Sequence, residues 1–143
     1  MKEKLFPNEK IIVTEYFDVH QDWGVPIPGF FIIASRKGRV SLDEFEDREA
    51  EEFFNLVRKL RKGMRDVLGI KTACLFQDEE THHNLFHFWI FPRYEWMEKF
   101  GTKIESIRPI VNFSRENMIN DKVSKEVKDM VEKMRNYMKQ KQF

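Results

Sequence analysis

Cysteine is nearly missing from this sequence. The lone Cys74 excludes an intrachain disulfide. It lies in an apolar stretch with no loop or elbow around it, so it reads as a small core residue rather than a nucleophile. Charge of one sign is missing too. Twenty-five Lys and Arg against 24 Asp and Glu leave a net charge of +1, no basis for a nucleic acid polymer as partner. No run approaches the roughly 18 apolar residues of a membrane span. The start, Met1-Lys2-Glu3-Lys4-Leu5-Phe6-Pro7, lacks an apolar signal core. The expectation is a reducing, cytoplasmic setting and no membrane contact. Internal repeats and low-complexity segments are absent as well.

What is present is a globular composition, 41% hydrophobic and 34% charged over 143 residues. That is enough chain for one domain over residues 1–143 with a real core. Fourteen Phe and three Trp give it bulk.

Residues 11–17, Ile-Ile-Val-Thr-Glu-Tyr-Phe, are β-branched and aromatic and read as a first strand. Residues 18–28 hold Gly24, Pro26 and Pro28 and read as a connection, with His20 in it and facing solvent, reach into the site being its other use. Residues 30–35 read as a second strand. The basic turn Arg36-Lys37-Gly38-Arg39 reads as solvated, with anion contact the other use. Ser41 to Glu44 has capping-box spacing. A long helix runs from Asp47 to about Leu68, with Gly69 past its end. Phe53, Val57, Leu60, Met64 and Val67 form its apolar stripe.

Residues 71–76 read as another strand, followed by the acidic Asp78-Glu79-Glu80. Residues 85–91, Leu-Phe-His-Phe-Trp-Ile-Phe, form the most apolar run. Alternation puts Leu85, His87, Trp89 and Phe91 on one strand face and Phe86, Phe88 and Ile90 on the other. Pro92 ends the ladder. A helical turn at 94–100, an irregular helix near 105–118 and a cleaner helix at 121–139 follow. The last has Val123, Val127, Met130, Val131, Met134 and Met138 on one side, a stripe suited to core or subunit contact. The fold class is α+β with an antiparallel sheet.

The stretch ending in Pro92-Arg93 resembles the signature of the histidine-triad (HIT) family, His-x-His-x-His and two apolar residues, often followed by Pro-Arg. His87 takes the middle position, Leu85 the first and Trp89 the third. Ile27-Pro28-Gly29-Phe30-Phe31-Ile32-Ile33 is similar to the family's Pro-Gly-His segment, with Phe30 in place of histidine. The likeness covers about residues 17–93, with residues 94–143 as a C-terminal helical extension. It implies a HIT-like antiparallel sheet packed with one long helix, plus C-terminal helices, and a homodimer.

The resemblance also implies chemistry. The middle histidine, His87, would attack the α-phosphorus of a nucleotide and carry a nucleotidyl group to water or another acceptor. The expected activity is a nucleotidyl hydrolase or transferase acting on a nucleoside polyphosphate or phosphoramidate. Asn84 and Arg93 would contact phosphate. Thr81 can donate a hydrogen bond to it. His83, with His82, can offset the nearby carboxylates. Trp89 would be a donor or a pocket wall. Indole has one N–H and no titration near neutrality, so it cannot replace a general acid. The alternative is a HIT-like nucleotide-binding or structural dimer module that has lost the chemistry. No cofactor is expected. No metal is expected either, because the four-residue spacing of His83 and His87 suits a helical zinc pair and the local sequence reads as strand.

Overall fold

The computed structural model describes residues 4–79 and 85–141. Five strands form one antiparallel sheet: β1 (Lys10–Val13), β2 (Phe17–Gln21), β3 (Phe31–Ser35), β4 (Ala73–Gln77) and β5 (His87–Pro92). Their spatial order is β1-β2-β3-β5-β4. Helix α1 (Asp47–Leu68) follows β3. Helices α2 (Ile107–Asn117) and α3 (Asp121–Lys139) come after the sheet. The expected α+β architecture is present.

The first expected strand is in fact two. Thr14 breaks it, its N–H donating to the Phe17 carbonyl at 2.8 Å to close a hairpin. Glu52 of α1 pins that turn, accepting from the Tyr16 N–H at 3.0 Å and the Thr14 hydroxyl at 3.1 Å. The second half of the hairpin, β2, takes up residues 17–21, including part of what reads in sequence as a connection. Local propensity for strand was right; the turn residue inside it carried no Gly or Pro to mark it.

Alternation sorts the sheet into two faces. Phe17, Val19, Phe31, Ile33 and Ile90 point toward α1 and α3 and are buried. Between this face and α1 sits a cluster of Phe17, Phe45, Phe53, Phe86 and Phe88, with ring centroids 4.9 to 5.7 Å apart and mostly edge to face. Such pairs add about 0.5–1.5 kcal/mol each beyond the apolar area they bury.

The stripe of α1 is wider than expected. Leu60 and Met64 are buried, Phe53 and Val57 partly so, and Val67 is 39% exposed. Leu56 and Gly63 are buried as well. A Cβ on Gly63 would lie 2.8 Å from the Tyr137 ring, so the missing side chain lets α3 approach α1. Helix α3 thus belongs to the main core, with Val123, Val127, Val131, Met134 and Met138 buried. At the end of α1, Gly69 sits at φ +70°, the left-handed conformation that suits a helix stop.

The basic turn is tied to the chain. Arg36 donates to the Thr14 carbonyl at 2.7 Å and the Glu15 carbonyl at 3.2 Å. Arg39 grips the fully buried Glu49 of α1 through two nitrogens, at 2.6 and 3.2 Å. That hydrogen-bonded pair holds the Glu49 carboxyl below the usual carboxylate range, against the opposing cost of burial.

Candidate functional site

The opposite sheet face carries the polar chemistry. Antiparallel register sets its rows. Asp18 of β2 pairs with Ala34 of β3, which pairs with His87 of β5. In the next row His20 pairs with Ile32, Ile32 with Trp89, and Trp89 with Phe76 of β4. The register therefore puts His20, His87, Trp89 and Phe76 on one face of the sheet, with Trp89 directly beside Phe76 and His20 two strands from Trp89.

His87 opens β5 and is half-buried. Its ring centroid is 5.8 Å from that of Trp89, tilted by 53°. Its neighbour across the sheet is Ala34, which is buried. Trp89 stacks on Phe76 with centroids 5.4 Å apart and planes within 14°. The stack forms one wall of a cleft of about 530 Å³. Phe30, Asp22 and Val25 contribute to it, and α2 supplies the facing wall with Arg108, Val111 and Arg115. Trp89 lines this cleft and His87 does not.

Phe30, standing where the family pattern has histidine, is buried edge-on against Phe91 at 5.1 Å. It can offer only an apolar surface. Leu85 precedes the strand and is 45% exposed, since β5 begins at His87 rather than at residue 85. Phe86 still joins the ladder, its carbonyl accepting from the Ser35 N–H at 3.0 Å.

Arg93 goes elsewhere. Its guanidinium donates to the Ser106 hydroxyl at 2.9 Å and the Lys103 carbonyl at 3.1 Å, and lies 5.5 Å from the Phe91 ring centroid. It lines a separate cleft of about 910 Å³ beside β4, with Lys71, Cys74, Glu95 and Glu98. Thr81, His82, His83 and Asn84 lie outside the described residues. Among the described residues, no group of three His, Cys, Asp or Glu side chains is placed to hold a metal ion.

His20 is not a solvent-facing loop residue. It lies in β2, 5% exposed, under the Trp23 ring at 4.7 Å. The Lys4 ammonium lies over the Trp23 ring, 4.1 Å from its centroid. The His20 Nδ1–H donates to the Gln21 carbonyl at 2.7 Å, since a carbonyl can only accept. Burial lowers its pKa, and the Gln21 hydrogen bond opposes that.

Asp22 and the two α2 arginines did not stand out in the sequence. Asp22 accepts from the Gly24 N–H at 2.9 Å, the turn that an Asp-x-Gly triplet favours. Burial raises its pKa; the Gly24 and Val25 N–H groups and the charges of His20 and Arg115 oppose the rise. The Arg115 Nε–H donates to the Gly24 carbonyl at 3.3 Å. The triplet was the available signal for Asp22. Nothing in the spacing of Arg108 and Arg115 says which surface α2 would cover.

No family model and no curated protein matches the sequence. Solved structures do. A zinc-bound histidine triad family protein from Mycobacterium smegmatis has TM-score 0.62 at 14% identity, covering 94% of this chain and 86% of that one. A member of the HIT family from Bacillus subtilis has TM-score 0.55 at 18% identity, covering 78% of this chain and 89% of that one. The diadenosine triphosphate hydrolase of Plasmodium falciparum, solved with Cyclomarin A, has TM-score 0.53 at 15% identity, covering 78% of this chain and 77% of that one. With its β1-β2-β3-β5-β4 antiparallel sheet, its long helix between β3 and β4 and its C-terminal helices, the chain has the HIT-like fold.

Proposed function

We propose that the protein binds a nucleoside phosphate on the second sheet face and transfers the nucleotidyl group through His87. The observation that carries this reading is the placement of His87 beside Trp89, whose stack with Phe76 lines a cleft of ligand size. A base would lie against that aromatic wall. An unprotonated ring nitrogen of His87 would form a bond to the α-phosphorus while the bond to the leaving oxygen or nitrogen breaks, its electron pair departing with the leaving group. Water would then attack phosphorus, return the electron pair to His87 and lose a proton. Thr81, His83 and Asn84, just before β5, are proposed phosphate contacts. Arg93 is a weaker one, since its guanidinium already holds Ser106 and Lys103. The Plasmodium neighbour is a diadenosine triphosphate hydrolase, so dinucleoside polyphosphates come first among substrates to try.

A second reading has support of its own. His87 does not line the cleft that Trp89 lines, which favours a nucleotide-binding module without turnover. The two readings separate on one experiment. Protein is mixed with a diadenosine polyphosphate or an adenylyl phosphoramidate, quenched without acid, and weighed intact by mass spectrometry. Transfer gives an adenylyl adduct that His87→Asn abolishes. Binding with no adduct, no turnover and no effect of His87→Asn selects the module.

Indole at position 89 adds a prediction within the enzyme reading. Without an acid there, polyphosphate leaving groups should outrun amines, which need a proton to depart. Trp89→His should speed phosphoramidate turnover more than polyphosphate turnover.

We also propose a homodimer in the cytoplasm, with no membrane contact; no helix among the described residues is long and apolar enough to cross a membrane. Strand β4 is an edge of the sheet and its Leu75 is 40% exposed, as is 63% of Phe54 on α1. An edge of this kind invites pairing with a second copy. Sedimentation should give about twice 17.4 kDa, and Leu75→Lys should shift the population toward monomer. A wild-type monomer at every concentration would end the dimer proposal.

A further inference from the structure

We propose that Arg108 of α2, seconded by Arg115, is the anion-recognition element of the cleft. On this view the helix after the sheet holds the charged end of a ligand whose planar ring stacks on Phe76 and Trp89. This rests on the nucleoside-phosphate reading and names the ligand's second anchor.

The cleft has two unlike walls. One is aromatic, made by Trp89, Phe76 and Phe30, and offers stacking to a flat ring without selecting its substituents. The other is α2, which presents Arg108 and Arg115 to the same space. The two arginines are seven residues apart, two helical turns, so they share a side of α2 about 10.5 Å apart along its axis. Guanidinium groups bind phosphate through paired N–H donors, and their reach brings two such forks toward one phosphate chain.

Each arginine has a different status. Arg115 is held: its Nε–H is on the Gly24 carbonyl, and Asp22 is close enough for their charges to interact. Part of its charge is answered already. Arg108 is exposed and makes no hydrogen bond or ion pair among the described residues. A cation with no partner among the described residues, at the rim of an aromatic cleft, is the place where a ligand's anion gains most. The carboxylates in the cleft weaken this less than their number suggests. Asp22 is answered by Arg115 and by the Gly24 and Val25 N–H groups. Asp78 is exposed, so water and salt screen it. Arg93, the arginine the sequence would nominate, is tied down outside this cleft.

The ligand class follows: a planar heterocycle carrying at least one phosphate, with added phosphates strengthening binding. A cleft of about 530 Å³ has room for a nucleotide. The reacting phosphorus must still reach His87, so the arginines would hold the ligand rather than take part in bond making.

The test is calorimetric titration of the full chain with adenosine, AMP and ADP at two salt concentrations. The expected order of affinity is ADP over AMP over adenosine, with the ADP value falling as salt rises. Arg108→Ala should weaken ADP about tenfold or more, the loss of one charge-assisted contact, and leave adenosine within about twofold. Arg108→Lys should recover part of the loss. Arg115→Ala should act in the same direction and less strongly, with circular dichroism melts checking that each variant is folded. If ADP binds wild type tightly and Arg108→Ala equally tightly, this assignment is wrong while the nucleoside-phosphate reading stands. If wild type binds none of the three ligands, the nucleoside-phosphate reading fails and this inference goes with it.

Discussion

The two faces of the sheet use the same strands for opposite ends. The face toward α1 and α3 is filled with interlocking phenylalanines and aliphatic side chains, buried at Phe17, Val19, Phe31, Ile33, Phe86 and Ile90 and partly buried at Phe45, Phe53 and Phe88. The other face keeps Asp18 and His20 on β2 and His87 and Trp89 on β5, with β3 between them, and is only partly roofed, by α2 and the 3₁₀ segment Glu95–Phe100. Successive residues of β5 alternate between these duties: Phe88 and Ile90 hold the core, while His87 and Trp89 face the cleft side. One strand can do both because side chains alternate strictly along it. Stability and chemistry can therefore be perturbed almost separately.

The largest expected effect tests that separation directly. Phe86→Ala, in the five-ring cluster, should cost about 3–5 kcal/mol, the range for deleting a buried Phe. Trp89→Ala removes a larger side chain that is only half-buried, and should cost less than Phe86→Ala in urea unfolding. Equal losses would mean that the second face is as much core as the first.

A smaller effect separates the faces by pH. On the helix side, Arg39 holds the Glu49 pKa down. The unfolded chain takes up that proton first, so the contribution is full above the ordinary carboxylate range and is lost as pH falls through the folded value. On the cleft side, burial raises the Asp22 pKa. Its contribution has the opposite sign: present below the unfolded pKa and lost as pH rises through the folded one. Urea midpoints from pH 3 to 7 should show Glu49→Gln losing stability near neutrality and little at pH 3. Asp22→Asn should gain near neutrality, because the amide oxygen can still accept from Gly24 with no charge to bury.

The smallest stability effect belongs to the residue with the largest proposed chemical one. His87→Asn should shift unfolding by no more than about 1 kcal/mol, since the site is half-buried and outside the phenylalanine cluster. A loss of several kcal/mol would make His87 a structural histidine.

Periodic patterns were readable. The α1 boundaries, the Gly69 stop and the inward set of Phe88 and Ile90 follow from spacing that any tertiary context would have to respect. The hairpin at Thr14 was not, because its turn is fixed by Glu52, 38 residues away. His20 was misplaced for the same reason, its strand and its Trp23 cover being set by that hairpin and the loop after it. Helix α3 read as an extension because its stripe names no partner; Gly63 and Tyr137 supply one.

For the candidate site the division is sharper. The sequence by itself determined that His87 and Trp89 share a face, since that depends only on alternation within one strand. It also determined that no general acid stands at position 89. Whether that face meets a cleft, which residues wall it and where Arg93 points were decided by tertiary structure alone. Those outcomes depend on register between strands and on the path of α2 across the sheet, and both are fixed by contacts between residues far apart in the chain.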